Sequence, residues 1–238
     1  PNSYAITWNA NGGTVSAGAD VTSQTYGTSI KLPADPTRKG YAFAGWWTTK
    51  EGAGQRVGAG YDIANVEARA ATYFARWDKV EGKISLKAHG PSDTAHTGAK
   101  FTREQVDAYN AVAGRPEANF RSATEIELAY DIETPSFSMT DASLLPILLG
   151  STFGGWDPAI SSFSPGTTAV WDASSETFSV ATYTATWTTN GYAIAYEDAK
   201  GDPLIGWETS DGSTLPSSFN EATAPDARVL PSMVKRGY

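Results

Sequence analysis

A chain of 238 residues, 40% hydrophobic and 18% charged, can bury one large core or two to three small ones. Its net charge of −8 is spread thinly, and the adjacent basic pairs are only Arg38-Lys39 and Lys235-Arg236, so nucleic acid and anionic membrane are poor partners. The lack of cysteine excludes disulfides, thiolate catalysis and cysteine-ligated metal. Neither a bilayer-length apolar run nor a signal-peptide pattern is present, so any targeting segment is expected to have been removed or to lie outside this chain, and Pro1 fits a trimmed start.

The dominant pattern is an internal repeat. Gly40-Tyr41-Ala42-Phe43-Ala44-Gly45-Trp46 returns as Gly150-Ser151-Thr152-Phe153-Gly154-Gly155-Trp156. Ala71-Thr72-Tyr73-Phe74-Ala75-Arg76-Trp77 returns as Ala181-Thr182-Tyr183-Thr184-Ala185-Thr186-Trp187, and all of these positions share an offset of 110. Self-similarity at fixed spacing points to repeated units, each with its own small core.

In chain order, Tyr4 to Trp8 alternates with period two, which predicts a strand with Tyr4, Ile6 and Trp8 facing a core. Asn11-Gly12-Gly13 supplies a tight turn, and Val15 to Ile30 can hold one or two return strands. Asp35-Pro36-Thr37-Arg38-Lys39-Gly40 reads as a single helical turn with Asp35 as cap. The next strand sends Tyr41 and Phe43 one way, and Gly45 invites a bulge that lets Trp46 pack as well. Glycines 52, 54, 58 and 60 suggest a hairpin region, Tyr61 to Val66 a short turn, and Thr72 to Trp77 a closing strand with Tyr73, Ala75 and Trp77 on one face. Trp46 and Trp77 read as core aromatics.

Residues 4–13, Tyr26-Gly27-Thr28, residues 32–46 and residues 72–77 together resemble the Listeria-Bacteroides repeat, also called the internalin B-type repeat, over essentially all of residues 3 to 78. The resemblance implies small β-grasp-like domains used in tandem in secreted and cell-wall-attached bacterial proteins, with no enzymatic site to carry over. A Thr-, Ser-, Ala- and Gly-rich chain with few lysines suits such a surface.

Asp78 to Gly82 reads as a short charged linker, and a second unit starts near Lys83. There the pattern departs: His89-Gly90-Pro91 replaces the Asn-Gly-Gly turn, and some thirty extra residues follow. Thr102-Arg103-Glu104-Gln105 is a capping box opening a helix over residues 103–112, with Val106 and Tyr109 on its packed face and Gly114 as its stop. Glu125 to Met139 alternates again, and residues 132–137 resemble the strand preceding the Leu-Pro loop of such repeats. Residues 144–149 form an apolar loop that either packs on a neighbour or is exposed. A third unit begins at Tyr192 and reaches residues 230–238, which resemble residues 32–41, so it is expected to be incomplete or remodelled; Leu204-Ile205-Gly206-Trp207 is a candidate displaced copy of the Phe-x-Gly-Trp strand. The expected organisation is residues 1–79, residues 83–188 with an insertion at about 91–122, and residues 189–238, in a mainly β or α+β fold.

Signals for chemistry are sparse. His89 and His96 read as loop residues without a metal partner set. Glu125, Glu127, Asp131 and Glu133 alternate along a strand face, where separated carboxylates could serve acid-base chemistry or bind calcium, but a solvated face explains them more simply. No G-x-S-x-G elbow and no phosphate-binding glycine motif occurs. The expectation is therefore a non-enzyme without cofactor or metal, a stalk or adhesin module whose partners are a host protein, a surface glycan or neighbouring repeats. The alternatives are a ligand-binding module, with Trp47, Trp171 and Tyr109 as candidate aromatic contacts, and an accessory region of a secreted enzyme.

Overall fold

The computed structural model describes residues 1–58 and 70–193, together with the backbone of the short strands Trp207–Thr209, Ser218–Asn220 and Met233–Lys235. The residues predicted to turn between Tyr61 and Val66, and most of the third unit, lie outside the described residues. The fold is mainly β with one short α-helix among the described residues.

The first sheet contains β1 (Ser3–Asn9), β2 (Val21–Thr25), β3 (Tyr41–Trp47), β4 (Arg56–Val57) and β5 (Ala71–Lys79), in the order β2-β1-β5-β3-β4. β1 runs parallel to β5 and every other pairing is antiparallel. Period-two alternation places Ile6 and Trp8 of β1 and Tyr73 and Ala75 of β5 on one buried face, while Tyr4 is half-buried at the strand entrance. Gly45, at φ +100°, carries the bulge between the Phe43–Trp77 and Trp46–Ala75 pairs. The extra residue rotates Trp46 onto the core face, where it is 1% exposed.

The expected helical turn at residues 35–40 does not form. Thr37 instead exchanges both backbone hydrogen bonds with Thr14, at 2.8 and 2.9 Å, which holds the segment extended. A tight turn from Arg38 to Tyr41 follows, with Gly40 at φ +81°.

The second sheet is built from β6 (Gly82–Lys87), helix α1 (Arg103–Asn110) beside it, β7 (Glu117–Ser122), β8 (Glu125–Tyr130), the short β9 (Phe137–Ser138), β10 (Ser151–Asp157), the short β11 (Ser162–Phe163), β12 (Trp171–Asp172) and β13 (Thr177–Phe178), and β14 (Ala181–Thr189). Its order is β10-β14-β6-β8-β7, again with one parallel pair, β14 on β6. β9 pairs with β11 and β12 with β13, outside the main sheet.

The two sheets agree pair by pair. Phe153 faces Trp187 and Trp156 faces Ala185 across a bulge between Phe153 and Gly155, as Phe43 faces Trp77 and Trp46 faces Ala75 across a bulge between Phe43 and Trp46. The Trp77 indole N–H donates to the Ala10 carbonyl at 3.0 Å, and the Trp187 indole N–H to the Ala88 carbonyl at 2.9 Å. Lys100 and Ile147 exchange the same two backbone bonds as Thr14 and Thr37.

The cores differ in size. The first gathers Ile6, Trp8, Trp46, Val57, Tyr73 and Ala75. Among the described residues the second is much larger and includes Ala99, Phe101, Val106 and Tyr109 from the α1 region and Ala118 from β7. α1 has the expected capping box, with Thr102 accepting from the Gln105 N–H and Gln105 accepting from the Thr102 N–H. Its far end is tied down by Asn110, whose side chain exchanges two bonds with the Ala118 backbone.

Between β5 and β6 only Val80 and Glu81 intervene, so the expected linker from Asp78 to Gly82 is mostly strand. The expected strand over residues 132–137 is likewise shorter. Asp131 to Thr134 is a turn, closed by the Thr134 N–H on the Asp131 carbonyl at 3.2 Å and by the Asp131 carboxylate accepting from the Glu133 N–H.

Beyond β14, β15 (Gly191–Ala193) pairs antiparallel with β17 (Ser218–Asn220), and β16 (Trp207–Thr209) with β18 (Met233–Lys235). Trp207 is thus paired with Lys235, while Leu204, Ile205 and Gly206 of the candidate Phe-x-Gly-Trp copy lie outside the described residues. The Glu208–Val234 pairing has the chain position of the Thr14–Thr37 bridge, and β15 with β17 that of β1 with β2.

Candidate functional site

The three candidate aromatics do not converge. Tyr109 is 1% exposed within the second core, and its ring offers no surface to a ligand. It reads from sequence as both packed-face and contact residue, and burial decides for packing. Burial pushes its hydroxyl pKa up to about 12. Trp171 lies half-buried on β12, edge-on to Phe178 at 4.9 Å, and packs on the second core. Trp47 lies half-buried on β3 with its indole N–H on the Ala44 carbonyl at 3.1 Å, and the Arg76 guanidinium covers one ring face at 4.1 Å.

The four carboxylates divide between strand and turn. On β8, Glu125 accepts from the Ser85 hydroxyl at 2.6 Å and pairs with Lys87, while Glu127 pairs with Lys83 and Arg121. The Ser85 hydrogen bond holds the Glu125 pKa below the usual carboxylate range, and burial of Glu127 is outweighed by its Arg121 and Lys83 partners. Asp131 and Glu133, in the turn, both pair with Lys79 of the first sheet. Each carboxylate thus has a cation partner, Asp131 and Glu133 sharing Lys79, which suits structure better than acid-base work. Among the described residues no group of three or more His, Asp or Glu side chains could hold a metal. His96 bonds to Asp93 at 2.7 Å and stacks on Trp187, and His89 contacts the Gly90 carbonyl.

The turn carrying Asp131 and Glu133 locks the first unit to the second. The Tyr41 hydroxyl donates to Glu133 at 2.5 Å, Lys79 bridges Asp131 and Glu133, and Lys39 donates to the Gly166 carbonyl at 2.8 Å. Gly40 packs so closely on Ile132 that a Cβ there would stand 2.5 Å from the Ile132 Cβ. Beside the junction opens a cleft of about 500 Å³ lined by Lys79, Glu81, Arg115, Glu117, Tyr130 and Asp131. A second, of about 270 Å³, lies within the first unit between Asn11, Arg38, Lys50, Glu51, Arg76 and Trp77.

The strand order, the Gly45 bulge and the Thr14–Thr37 bridge give the resemblance of the first unit a structural frame. Residues 4–67 match the Listeria-Bacteroides repeat domain. The match runs from β1 past β4 and stops before β5, whereas the resemblance by motif extends to residue 78. No curated protein and no solved structure matches the chain. Among the described residues no helix is long and apolar enough to cross a membrane.

Sequence reading missed Arg38, Lys50 and Arg76 as a group. Their signal was present in the repeat itself: at the shared offset of 110 the second unit has Leu148, Ile160 and Thr186 in their place. Tryptophans and glycines that recur carry the fold, and these three cations mark what the first unit possesses and the second lacks.

Proposed function

We propose that the chain is a non-catalytic tandem-repeat segment of a bacterial extracellular or cell-surface protein, acting as a stalk or adhesin module. Its units are β-grasp-like. The second carries an insertion, since Ile6 corresponds to Ile84 at an offset of 78 while Trp46 corresponds to Trp156 at 110. Most of the difference falls between β6 and β8, where α1 and β7 lie. The match of residues 4–67 to the Listeria-Bacteroides repeat domain supports the class.

The observation that carries the stalk reading is the junction. A two-residue connection, the Gly40–Ile132 contact, the Lys79–Glu133 ion pair and the Tyr41–Glu133 hydrogen bond resist reorientation of one unit against the next. Flexible linkage is the usual expectation for neighbouring domains, so such a joint favours a spacer that holds its shape. Small-angle X-ray scattering should fit one fixed arrangement of the first two units, and Glu133→Ala should broaden it towards an ensemble. Wild-type scattering that fits only freely pivoting units would sink the stalk reading.

A further inference from the structure

The 270 Å³ cleft of the first unit is lined by three cations and one carboxylate: Arg38, Lys50 and Arg76 against Glu51. The first unit differs from the rest of the chain in charge. Residues 1–79 hold eight basic and six acidic side chains, while the chain as a whole has a net charge of −8. Among the described residues the side chains of Arg38, Lys50 and Glu51 carry no hydrogen bond and no ion pair. Arg76 uses one terminal nitrogen to bind the Thr49 hydroxyl at 2.9 Å and the Gly52 carbonyl at 2.7 Å, and its Nε is buried without a partner.

Both guanidiniums are held in place before any ligand arrives. Arg38 sits 3.8 Å over the Tyr41 ring and Arg76 sits 4.1 Å over the Trp47 ring. Asn11 is anchored by its amide on the Ala75 carbonyl at 3.0 Å, and Trp77 forms a wall whose indole N–H is already bound to Ala10. Cations fixed on aromatic faces lose little side-chain entropy on binding, and guanidinium matches a carboxylate with two parallel hydrogen bonds. The fold does not require these cations, because the second unit keeps Trp187 and its bond to Ala88 with Leu148, Ile160 and Thr186 in their places.

We propose that this cleft binds an acidic saccharide, receiving the carboxylate of a uronic acid between Arg38, Lys50 and Arg76 with the sugar ring against Trp77. The cleft has room for one sugar ring, and a tryptophan wall beside polar donors suits the mixed surface of a sugar. Trp47 then contributes indirectly, as the support under Arg76, rather than as a contact residue. The proposal takes from the surface-module reading only the kind of ligand such a protein meets, and the scattering experiment on the junction tests that reading separately.

The test is calorimetric titration of the whole chain at low salt with a glucuronate-containing tetrasaccharide, its carboxyl-reduced neutral counterpart, a sulfated oligosaccharide of equal length and a short polyglutamate peptide. The glucuronate probe should bind, and reduction of its carboxyl should weaken binding roughly tenfold or more, the worth of a charge-assisted hydrogen bond. Arg38→Gln should do the same. Lys50→Gln, at an exposed residue whose side chain has no partner to lose, should weaken binding without moving the thermal transition, so the test survives if the Arg38 variant is unstable. Lys31→Gln, outside the cleft, should leave affinity unchanged. Indole N–H resonance shifts should centre on Trp77. Equal binding of the neutral sugar, equal losses for Lys31→Gln and Lys50→Gln, tighter binding of polyglutamate, or no binding of the glucuronate probe would each overturn the proposal. Tighter binding of the sulfated probe with the same dependence on Lys50 would overturn the choice of carboxylate.

Discussion

Trp46→Ala tests whether the small first core depends on its bulged tryptophan. The side chain is 1% exposed and meets Trp8 edge-on at 5.1 Å and Phe43 at 5.5 Å, in a core with five other buried residues among the described ones. Truncating a buried tryptophan to alanine costs about 3–5 kcal/mol. A unit of this length has a total stability of roughly 4–12 kcal/mol. The first unit should therefore lose most of its stability, and in scanning calorimetry its transition should fall by more than about 12 °C or vanish while that of the second unit remains. A companion pair sharpens the test. The Trp156 indole N–H donates to the Met139 carbonyl at 2.7 Å, whereas the Trp46 N–H has no partner. Trp156→Phe leaves a buried carbonyl without its donor, an added cost of about 1–3 kcal/mol, and Trp46→Phe removes an unsatisfied donor. Trp156→Phe should thus be the more damaging. A Trp46→Ala shift below a degree, or the reverse order of the phenylalanine variants, would refute the reasoning.

The junction should be acid-sensitive. Hydrogen bonds from Lys79 and Tyr41 hold the Glu133 pKa low, and burial of Asp131 is outweighed by the Glu133 N–H and by Lys79. A depressed folded-state pKa gives stability that is present above the ordinary carboxylate range and fades as pH falls through it towards the folded value. The scattering of the first two units should hold constant from about pH 6 to 8 and loosen on acidification below the ordinary carboxylate range; tightening in acid would contradict the assignment. Deleting residues 94–119 behind a Gly-Ser bridge should abolish the cooperative transition of the second unit, because it removes Ala99, Phe101, Val106, Tyr109 and Ala118 from the core. An unshifted second transition in calorimetry would show the inserted segment to be a separable graft.

The strands around Trp46 and Trp77 were legible because period-two alternation and a glycine bulge are local signals, and a second copy of the pattern removed most ambiguity. The α1 capping box was legible for the same reason: Thr102 and Gln105 satisfy each other within one turn. The failures were non-local. Asp35-Pro36 reads as a helix start, yet Thr37 is claimed by Thr14, twenty-three residues earlier, and a two-bond bridge outweighs a weak one-turn helix. Tyr109 was ambiguous because an aromatic on an amphipathic helix looks the same whether the sheet or a ligand covers it. The cation cleft was hidden because Asn11, Arg38, Lys50 and Arg76 come from four separate segments that only the sheet order brings together.

The loop before the Phe-x-Gly-Trp strand shows how one frame supports two surfaces. In both units its backbone is pinned by the same bridge, Thr14 with Thr37 and Lys100 with Ile147, and enters the strand through a positive-φ glycine, Gly40 or Gly150. In the first unit the residues between are Arg38 and Lys39, one turned over Tyr41 into the cleft and the other towards Gly166 of the second unit. In the second unit the matching residues are Leu148 and Leu149, preceded by Leu144, which is fully buried beside α1, and by the exposed Ile147. Helix α1 accounts for Leu144, which stands where the first unit has Ala34, since the helix presents an apolar surface for it to pack on. It does not explain Leu149, which is 88% exposed. Because the bridge and the glycine fix the backbone, side chains in this loop are free to differ between the two units without cost to the sheet.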